Sequence, residues 1–148
     1  MFNILSNRFD ITLFDVLDLF SGTGSISYEF ASRGCSSVHA VEIDQRHVAF
    51  IRATAAKHGF RQMRVVRDDV FHFLTICKAQ YDIVFADPPY DMPHIGEIPD
   101  LVLKHNILKP DGILILEHSR RDDFTGHGHL YDHRRYGNVH FSFFKREK

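Results

Sequence analysis

An acid, two prolines and an aromatic residue stand together in this chain as Asp87, Pro88, Pro89 and Tyr90. A carboxylate accepts hydrogen bonds from an amine, proline restricts the backbone, and an aromatic ring stacks on a flat group. The mostly apolar residues 81–86 before them are typical of a buried strand, and ligands bind at the carboxyl ends of strands in an open α/β sheet. The four residues therefore predict a site that grips a planar group bearing an NH2 and stacks on its face.

A glycine-rich turn earlier in the chain predicts a second, neighbouring site. Gly22 and Gly24 follow a strand that contains Asp18 and Phe20, and glycine lets the backbone approach a ligand closely. A dinucleotide-binding turn carries a third glycine and places a pyrophosphate over a helix N-terminus. Here the third glycine is missing and a carboxylate stands at the strand end, which favours a ligand with an ammonium group over NAD. A tight turn without any ligand is the alternative.

Acidic residues also follow the next two predicted strands. Glu42 ends the second strand, where a carboxylate can hold both hydroxyls of a ribose. Asp68, Asp69 and Val70 follow the third strand, where an acid side chain and the next backbone N–H can read an adenine edge. Asp69 is also suited to cap a helix, so Asp68 is the preferred contact. Ribose, adenine and an amino-acid ammonium group together describe S-adenosyl-L-methionine.

Two sets of candidate residues follow from these patterns. The candidate catalytic residues are Asp87, Pro88, Pro89 and Tyr90. The candidate cofactor-binding residues are Asp18, Phe20, Gly22, Gly24, Glu42, Asp68, Asp69 and Val70. No metal site is predicted, because the pair formed by His127 and His129 lacks a cysteine or acid cluster to complete one.

The elements that must position these residues alternate between strand and helix. Strand-like segments are predicted at residues 14–20, 38–42, 63–67, 83–86 and 113–117. Helices are predicted at residues 25–33, 44–57, 69–76 and between 95 and 106, with Asp44 as an N-cap and a turn at residues 109–112. Two final strands, at residues 129–134 and 139–144, form a hairpin. This order predicts an α/β fold: a doubly wound, mostly parallel, Rossmann-like sheet that closes with an antiparallel hairpin.

Length and composition limit the remaining options. A chain of 148 residues is one domain by size, and its net charge of −1 is not that of a basic nucleic-acid coat. Cys35 and Cys77 form neither a ligand cluster nor a disulfide framework. There is no apolar run long enough to cross a membrane and no signal-peptide pattern. We expect a cytoplasmic protein, and because nothing in the chain indicates an obligate dimer, we expect a monomer.

The end of the chain is rich in basic residues. Residues 119–148 hold seven Lys or Arg against four acids. A positive rim that contacts nucleic-acid phosphates could include Arg120, Arg121, Arg134, Arg135, Lys145 and Arg146. A solvated hairpin face is the alternative.

Residues 16–25, 41–44 and 87–90 together resemble the bacterial 16S rRNA guanine-N2 methyltransferases, the RsmD-type family, and the resemblance covers nearly the whole chain. The acid-Pro-Pro-aromatic motif is shared with DNA amino-methyltransferases and protein glutamine methyltransferases, so it indicates the reacting atom better than the polymer. The resemblance implies an S-adenosyl-L-methionine-dependent methyltransferase that acts on the exocyclic amine of a guanine in 16S rRNA, with that rRNA or the small ribosomal subunit as partner. The alternatives are a truncated cofactor-binding core without RNA activity and an amino-methyltransferase of DNA or another nucleic acid.

The chain departs from the family's pattern at its start. Family members usually begin with a short basic extension that carries an Arg-Pro-Thr-like segment before a helix. Met1, Phe2 and Asn3 stand where that helix is already under way. We therefore expect residues 1–148 to be a single methyltransferase domain that lacks the family's N-terminal extension. The family is thought to use that extension for rRNA contact and for covering the cofactor.

Overall fold

The computed structural model describes residues 1, 2, 5 and 10–146, and within them seven strands form one sheet. The strands are β1 (Asp15–Leu19), β2 (Ser37–Glu42), β3 (Met63–Arg67), β4 (Tyr81–Ala86), β5 (Leu108–His118), β6 (Leu130–Tyr136) and β7 (Val139–Lys145). The α-helices of residues 10–146 are α1 (Ser25–Ser32), α2 (Gln45–Lys57), α3 (Val70–Ile76) and α4 (Ile98–Lys104), and a 3-10 turn at Ile95–Glu97 precedes α4. In the part of the chain so described, no helix combines the length and the apolar character needed to cross a bilayer.

The sheet has the strand order β3-β2-β1-β4-β5-β7-β6. β1 lies between β2 and β4 and runs parallel to both, and the pairs β2–β3 and β4–β5 are also parallel. β7 runs antiparallel to β5, and β6 runs antiparallel to β7. The predicted fold is confirmed. Because the chain winds from β1 towards one edge and from β4 towards the other, the carboxyl ends of these two strands border the crevice where ligands bind in such sheets.

Both faces of the central strands are buried, which explains their nearly continuous apolar sequence. Successive side chains of a strand point to opposite faces. Ile83 and Phe85 of β4 therefore pack in one core layer, whereas Val84 and Ala86 pack in the other. None of these four side chains is more than 1 % exposed. This packing on two faces fixes β4 and thereby holds the residues that follow it at a defined place on the sheet edge.

β5 begins earlier than predicted, because the segment expected as a turn lies within it. In the pairing with β4, residues 109–112 bulge out opposite Asp82. Lys109 of this bulge donates to the carboxylates of Asp15 and Asp82, with its Nζ at 2.8 and 2.9 Å from their Oδ2 atoms. The predicted turn is thus a bulge that two ion pairs hold at the amino end of β5, away from the ligand-binding edge.

The helix after β2 begins where the sequence predicts. The Asp44 carboxylate accepts hydrogen bonds from the backbone N–H groups of Arg46 and His47, at 2.8 and 3.4 Å, and so caps α2. Because the cap follows Glu42 closely, it also helps to hold that acid at the sheet edge. Asn3, which the sequence places in a family-like helix, lies outside the described residues.

Candidate functional site

A cavity of about 720 Å³ lies at the carboxyl ends of β1, β2, β3 and β4. The predicted residues that line it are Asp18, Phe20, Gly22, Glu42, Asp68, Asp69, Val70, Asp87, Pro88, Pro89 and Tyr90. Gly24, the remaining predicted residue, is not part of the lining. Parallel winding therefore joins the ends of four strands, which are distant in sequence, at one cavity.

The turn after β1 adopts backbone conformations that favour glycine. Gly22 and Gly24 have φ angles of 57° and 89°, in the left-handed region. A Cβ at Gly24 would lie 2.8 Å from the ring of Tyr28, so this glycine lets the turn pack closely on α1. Phe20 has a φ of 58°, although this conformation is unfavourable for a bulky side chain. Such local strain is concentrated at ligand-binding and catalytic sites.

Glu42 is oriented in the cavity by two backbone groups. Its Oε1 accepts a hydrogen bond from the Gly22 N–H, and its Oε2 accepts one from the Asp44 N–H, both at 2.8 Å. Each carboxylate oxygen can accept a further hydrogen bond. His47, which the sequence analysis did not select, has its Nδ1 3.6 Å from Oε2 and buried without a hydrogen-bond partner among the described residues. A buried polar atom of this kind favours a ligand that supplies the missing bond.

Asp18 lies on the buried side of the cavity. It is 1 % exposed, and its Oδ2 accepts a hydrogen bond from the Ser27 hydroxyl at 2.6 Å. Burial raises the pKa of its carboxyl to about 7, and the negative charge of Asp87 raises it in the same direction. The predicted ammonium contact is therefore a carboxyl close to half-protonated at neutral pH, which a neighbouring positive charge would ionise.

The acids after β3 already have partners within the protein. Asp69 caps α3, because its Oδ1 accepts a hydrogen bond from the His72 N–H at 3.1 Å. Asp68 has its Oδ2 2.9 Å from the His72 Nδ1, and its Oδ1 accepts a hydrogen bond from the Asp69 N–H at 2.8 Å. Val70 is the first residue of α3. The helix cap occupies Asp69, so Asp68 stays the predicted ligand contact.

The acid-Pro-Pro-aromatic motif begins directly after β4. The Met92 N–H donates to the Pro89 carbonyl at 3.0 Å and closes a turn behind the motif. Tyr90 is 74 % exposed, so one of its ring faces can receive a flat ligand. Arg121 reaches Tyr90 from the segment after β5: its Nη2 donates to the Tyr90 carbonyl at 2.7 Å, and its guanidinium carbon lies 5.4 Å from the ring centre. Arg121 thus restrains the aromatic end of the motif.

Glu117 adds a second carboxyl beside the motif, which the sequence analysis did not predict. The register of β4 with β5 pairs Ala86 with Leu116, so Asp87 and Glu117 follow side by side. Their carboxyl groups are close enough that each shifts the pKa of the other. Burial raises both pKa values, and the adjacent Asp87 charge contributes to raising that of Glu117 to about 7, so the shared proton resides on Glu117. The sequence does carry a signal for Glu117: it is an acid at the end of an apolar strand, which is the pattern that predicted a role for Glu42 at the end of β2.

A second cavity, of about 330 Å³, adjoins the motif on the side of β5 and the hairpin. Asp87, Pro88 and Tyr90 line both cavities, whereas Glu117 lines only the smaller one. His118, Ser119, Asn138 and Val139 are also part of its lining. The motif therefore forms a shared wall between a cavity edged by the glycine turn and a cavity edged by the hairpin.

The predicted basic rim is divided between two ends of the sheet. Arg134 and Arg135 lie in β6 at the level where β5 ends, on the side of the motif. Lys145 lies at the opposite end of the same strands, and Arg146 donates to the carbonyl of Leu108, where β5 begins, at 3.3 Å. The six basic residues therefore do not all belong to one rim. The basic residues that remain candidates for nucleic-acid contact at the site are Arg120, Arg121, Arg134 and Arg135.

His127 and His129 are joined by a hydrogen bond, because the His129 N–H donates to the His127 Nδ1 at 3.0 Å, and each side chain has a further partner. His127 has its Nε2 2.8 Å from Asp100 Oδ1, and His129 has its Nδ1 3.0 Å from the Lys145 carbonyl oxygen. Across residues 1, 2, 5 and 10–146, no group of three or more His, Cys, Asp or Glu side chains is arranged to hold a metal ion.

Comparisons with known proteins point to one family. A family model described as "Conserved hypothetical protein 95" matches residues 1–145. Ribosomal RNA small subunit methyltransferase D of Buchnera aphidicola is 30 % identical over 117 residues, which cover 79 % of this chain and 59 % of that protein. Ribosomal RNA large subunit methyltransferase K/L of Shewanella baltica is 31 % identical over 121 residues, which cover 72 % of this chain and 17 % of that protein. The chain thus spans only part of the length of each curated relative.

The solved structure of yhhF from Escherichia coli, assigned as a methyltransferase, has the same fold. It matches with a TM-score of 0.86 and 24 % identity, over 99 % of this chain and 81 % of that one. The fold is that of the Rossmann-like methyltransferase class. The chain belongs to the conserved hypothetical protein 95 family, and the resemblance to the RsmD-type family is confirmed.

Proposed function

We propose that this chain is an S-adenosyl-L-methionine-dependent methyltransferase that modifies the exocyclic N2 amine of a guanine in 16S rRNA of the small ribosomal subunit. The observation that carries the proposal is the position of Asp87, Pro88 and Tyr90, which line both the cavity of the glycine turn and the cavity beside the hairpin. A methyl donor in the larger cavity and a base in the smaller one would meet at this motif. The small-subunit relative supports the choice of polymer. An rRNA substrate would place the activity in the cytoplasm.

The residues of the larger cavity fit the proposed cofactor. Glu42, with one backbone N–H on each oxygen, has a lone pair left on each for the two ribose hydroxyls. The His47 Nδ1, which has no hydrogen-bond partner in the described part of the chain, lies beside it. We assign the adenine edge to Asp68 and the Val70 N–H, since the Asp69 N–H is already bonded to Asp68. We assign the ammonium group to Asp18. When bound, S-adenosyl-L-methionine supplies an electrophilic methyl group carried by a positively charged sulfur.

Asp87 would act on the substrate amine mainly as an acceptor that orients it. An exocyclic aromatic amine is a poor nucleophile, because its lone pair is delocalised into the ring. Hydrogen bonds from the NH2 to the Asp87 carboxylate and the Pro88 carbonyl would draw the nitrogen towards tetrahedral geometry and expose the lone pair. The amine proton becomes acidic only after the new N–C bond forms and the bond between the methyl group and sulfur breaks, so no strong base is needed beforehand. The Asp87 carboxylate that holds the amine would then take this proton. Positioning and fixed acceptors would therefore supply most of the catalysis.

Tyr90 would provide the surface on which the target base lies. Stacking of a base on an aromatic side chain is worth about 1–3 kcal/mol. Pro88 and Pro89 restrict the backbone before this ring, which lowers the cost of ordering it on binding. A base inside a duplex cannot reach such a pocket, so the target must be unpaired or flipped out of its helix.

Large-subunit rRNA is the second candidate substrate, because a large-subunit methyltransferase also matches most of this chain. A core that binds the cofactor without acting on RNA, and an amino-methyltransferase of another nucleic acid, are the further alternatives. The motif is compatible with each of them, since it recognises an amine rather than a polymer.

Two measurements test the proposed function. Calorimetric titration should show S-adenosylhomocysteine binding with a Kd of about 1 μM or tighter and no binding of NAD. Methyl transfer from labelled S-adenosyl-L-methionine should then label small-subunit particles that lack the modification. Binding of NAD in place of S-adenosylhomocysteine would refute the cofactor. Label confined to large-subunit particles would refute the substrate, and cofactor binding without transfer to any nucleic acid would favour the non-catalytic core.

A further inference from the structure

We propose that Glu117 is a substrate-recognition residue: the carboxyl oxygen that does not bond Asp87 accepts the N1–H of the target guanine, while Asp87 holds the N2 amine. This inference rests on the proposed function and deepens it, because it names the feature of the base that the protein selects.

The strand pairing places the two acids at one site. Ala86 pairs with Leu116 in the parallel ladder of β4 and β5, and the next residue of each strand is the acid. Adjacent strands lie about 4.8 Å apart, within reach of a direct contact between these side chains. Glu117 and Asp87 both line the smaller cavity, and so does Tyr90. The stacking surface and the two carboxyl groups therefore belong to the same site.

No Lys, Arg or His side chain of the described residues forms an ion pair that would explain the position of Glu117. It is half-buried at the end of a strand whose preceding residues, from Ile113 to Leu116, are buried. Among the described residues it has no ion pair with a Lys, Arg or His side chain; the N-terminal ammonium group of Met1 lowers its pKa only as the last of several influences, and the carboxyl group that acts on it is that of Asp87. Asp87 is exposed and Glu117 is half-buried. Two adjacent carboxyl groups, one of them half-buried, repel each other when both are ionised, unless they share a proton or receive donors from a ligand. The shared proton satisfies one Glu117 oxygen and leaves the other available at the cavity.

The pattern of acceptors matches the edge of guanine. Guanine presents its N1–H and its N2 amine as neighbouring donors, whereas adenine presents a lone pair at its ring N1. With its proton donated to Asp87, Glu117 can accept the N1–H through its second oxygen, and Asp87 can still accept from the amine. An adenine in the same place would set a lone pair against the Glu117 acceptor. A site that bonds a specific donor rejects analogues that lack it, because its buried polar group is left unpaired.

The test measures binding of three nucleotides to the full chain saturated with S-adenosylhomocysteine, followed by NMR titration. GMP carries both the N1–H and the N2 amine. The monophosphate of 2-aminopurine riboside keeps the amine and lacks the N1–H, and IMP keeps the N1–H and lacks the amine. For the wild type we expect GMP to bind about tenfold more tightly than the 2-aminopurine nucleotide, as one hydrogen bond to an acidic side chain would give.

Variants of Glu117 identify the acceptor. Glu117→Leu should bring the ratio of GMP to 2-aminopurine affinity close to one and should weaken IMP binding as well. Glu117→Gln should keep most of the ratio, because its NH2 can donate to Asp87 and its carbonyl can accept the N1–H. Glu29→Gln is the matched control, since Glu29 is an exposed acid of α1 paired with Arg33, and it should change none of the three affinities. The affinity of each variant for S-adenosylhomocysteine reports whether it is folded.

The outcomes separate this inference from the proposed function. An unchanged GMP preference in Glu117→Leu, or equal binding of GMP and the 2-aminopurine nucleotide by the wild type, would overturn the role of Glu117 even if methyl transfer occurs. The wild-type ratio needs no variant, so a Glu117→Leu protein that fails to fold does not block the test. A GMP preference that depends on Glu117 would support the inference, and failure of methyl transfer to ribosomal particles would then overturn only the proposed reaction. Binding of none of the three nucleotides would overturn the inference.

Discussion

Asp87 and Glu117 lie side by side at the carboxyl ends of β4 and β5, and each carboxyl group shifts the pKa of the other. The pair is a product of topology, because β5 becomes the neighbour of β4 only through the crossover that contains α4. The side of the motif that faces the smaller cavity therefore carries two carboxyl groups that can share one proton. The strand order of the sheet sets the position of this pair relative to the glycine turn after β1.

Replacing Glu117 by Gln should make stability less dependent on pH. The pKa of Glu117 is raised from 4.5 to about 7 by burial and by Asp87, so the folded state holds this proton more tightly than the unfolded state. The stabilisation is complete below pH 4.5 and is lost as the pH rises through about 7. Because Glu117→Gln cannot lose that proton, we expect it to gain about 1 kcal/mol relative to the wild type between acidic and mildly alkaline pH. Urea unfolding across this range measures the difference, and parallel pH curves for the two proteins would contradict it.

Replacing Glu42 by Gln should weaken cofactor binding. The two carboxylate oxygens accept from the Gly22 and Asp44 N–H groups, and the amide NH2 of glutamine would meet one of these donors with a donor. We expect the Kd for S-adenosylhomocysteine to rise about tenfold or more, as for loss of hydrogen bonds to a charged acceptor. Calorimetry provides the measurement, with Glu29→Gln as the control. An affinity within about threefold of the wild type would refute the ribose assignment, since one such bond is worth more than that.

Two glycine substitutions in the same turn should differ in cost. Both positions have positive φ, a conformation in which a Cβ atom crowds the backbone. Replacing either glycine by alanine should therefore lower the free energy of unfolding by about 1 kcal/mol. At Gly24 an added Cβ would also lie 2.8 Å from the Tyr28 ring and 3.0 Å from Ile51, whereas at Gly22 nothing lies within 4 Å. We therefore expect Gly24→Ala to lower the free energy of unfolding by about 2–4 kcal/mol and Gly22→Ala by about 1 kcal/mol. Equal losses in urea unfolding would show that the turn does not pack on α1 in this way.

Removing the Arg121 side chain should impair RNA binding, because Arg121 both restrains Tyr90 and stands on the side of the site. We expect Arg121→Ala to raise the KM for the ribosomal substrate about tenfold. Arg121→Lys should restore little of this loss, because lysine lacks the planar guanidinium group that contacts both the Tyr90 carbonyl and the Tyr90 ring. Arg146→Ala is the matched control, because Arg146 lies where β5 begins, at the other end of the sheet. Similar losses in these arginine variants would indicate a general charge effect instead of a contact at the motif.

Much of the fold and of the site could be predicted because their signals are local. The buried strands are short apolar runs, and the acids Asp18, Glu42 and Asp87 each stand in or directly after one of them. Because parallel strands place their carboxyl ends at one edge of the sheet, these acids are expected to lie close together once the strands are recognised. The Asp44 cap is also a local signal, and the structure confirms it.

The features that were missed depend on how distant segments pair. Glu117 lies beside Asp87 only because of the register of β5 with β4. The Nδ1 of His47 lacks a hydrogen-bond partner among the described residues because it is buried against Glu42. The division of the six basic residues between two ends of the sheet also depends on this pairing. Strand direction in the hairpin carries Arg135 towards the motif and Arg146 away from it, which a count of charges along the sequence does not reveal.

The most direct test of the central claim is mass spectrometry of nucleosides from small-subunit particles treated with the wild type and with Asp87→Ala. The wild type should produce N2-methylguanosine, and Asp87→Ala should reduce its rate of formation about 100-fold or more, in line with loss of a group that positions the reacting atom. Its affinity for S-adenosylhomocysteine should stay close to that of the wild type. Undiminished N2-methylguanosine with Asp87→Ala, or a wild-type product methylated elsewhere than on an exocyclic amine, would contradict the account.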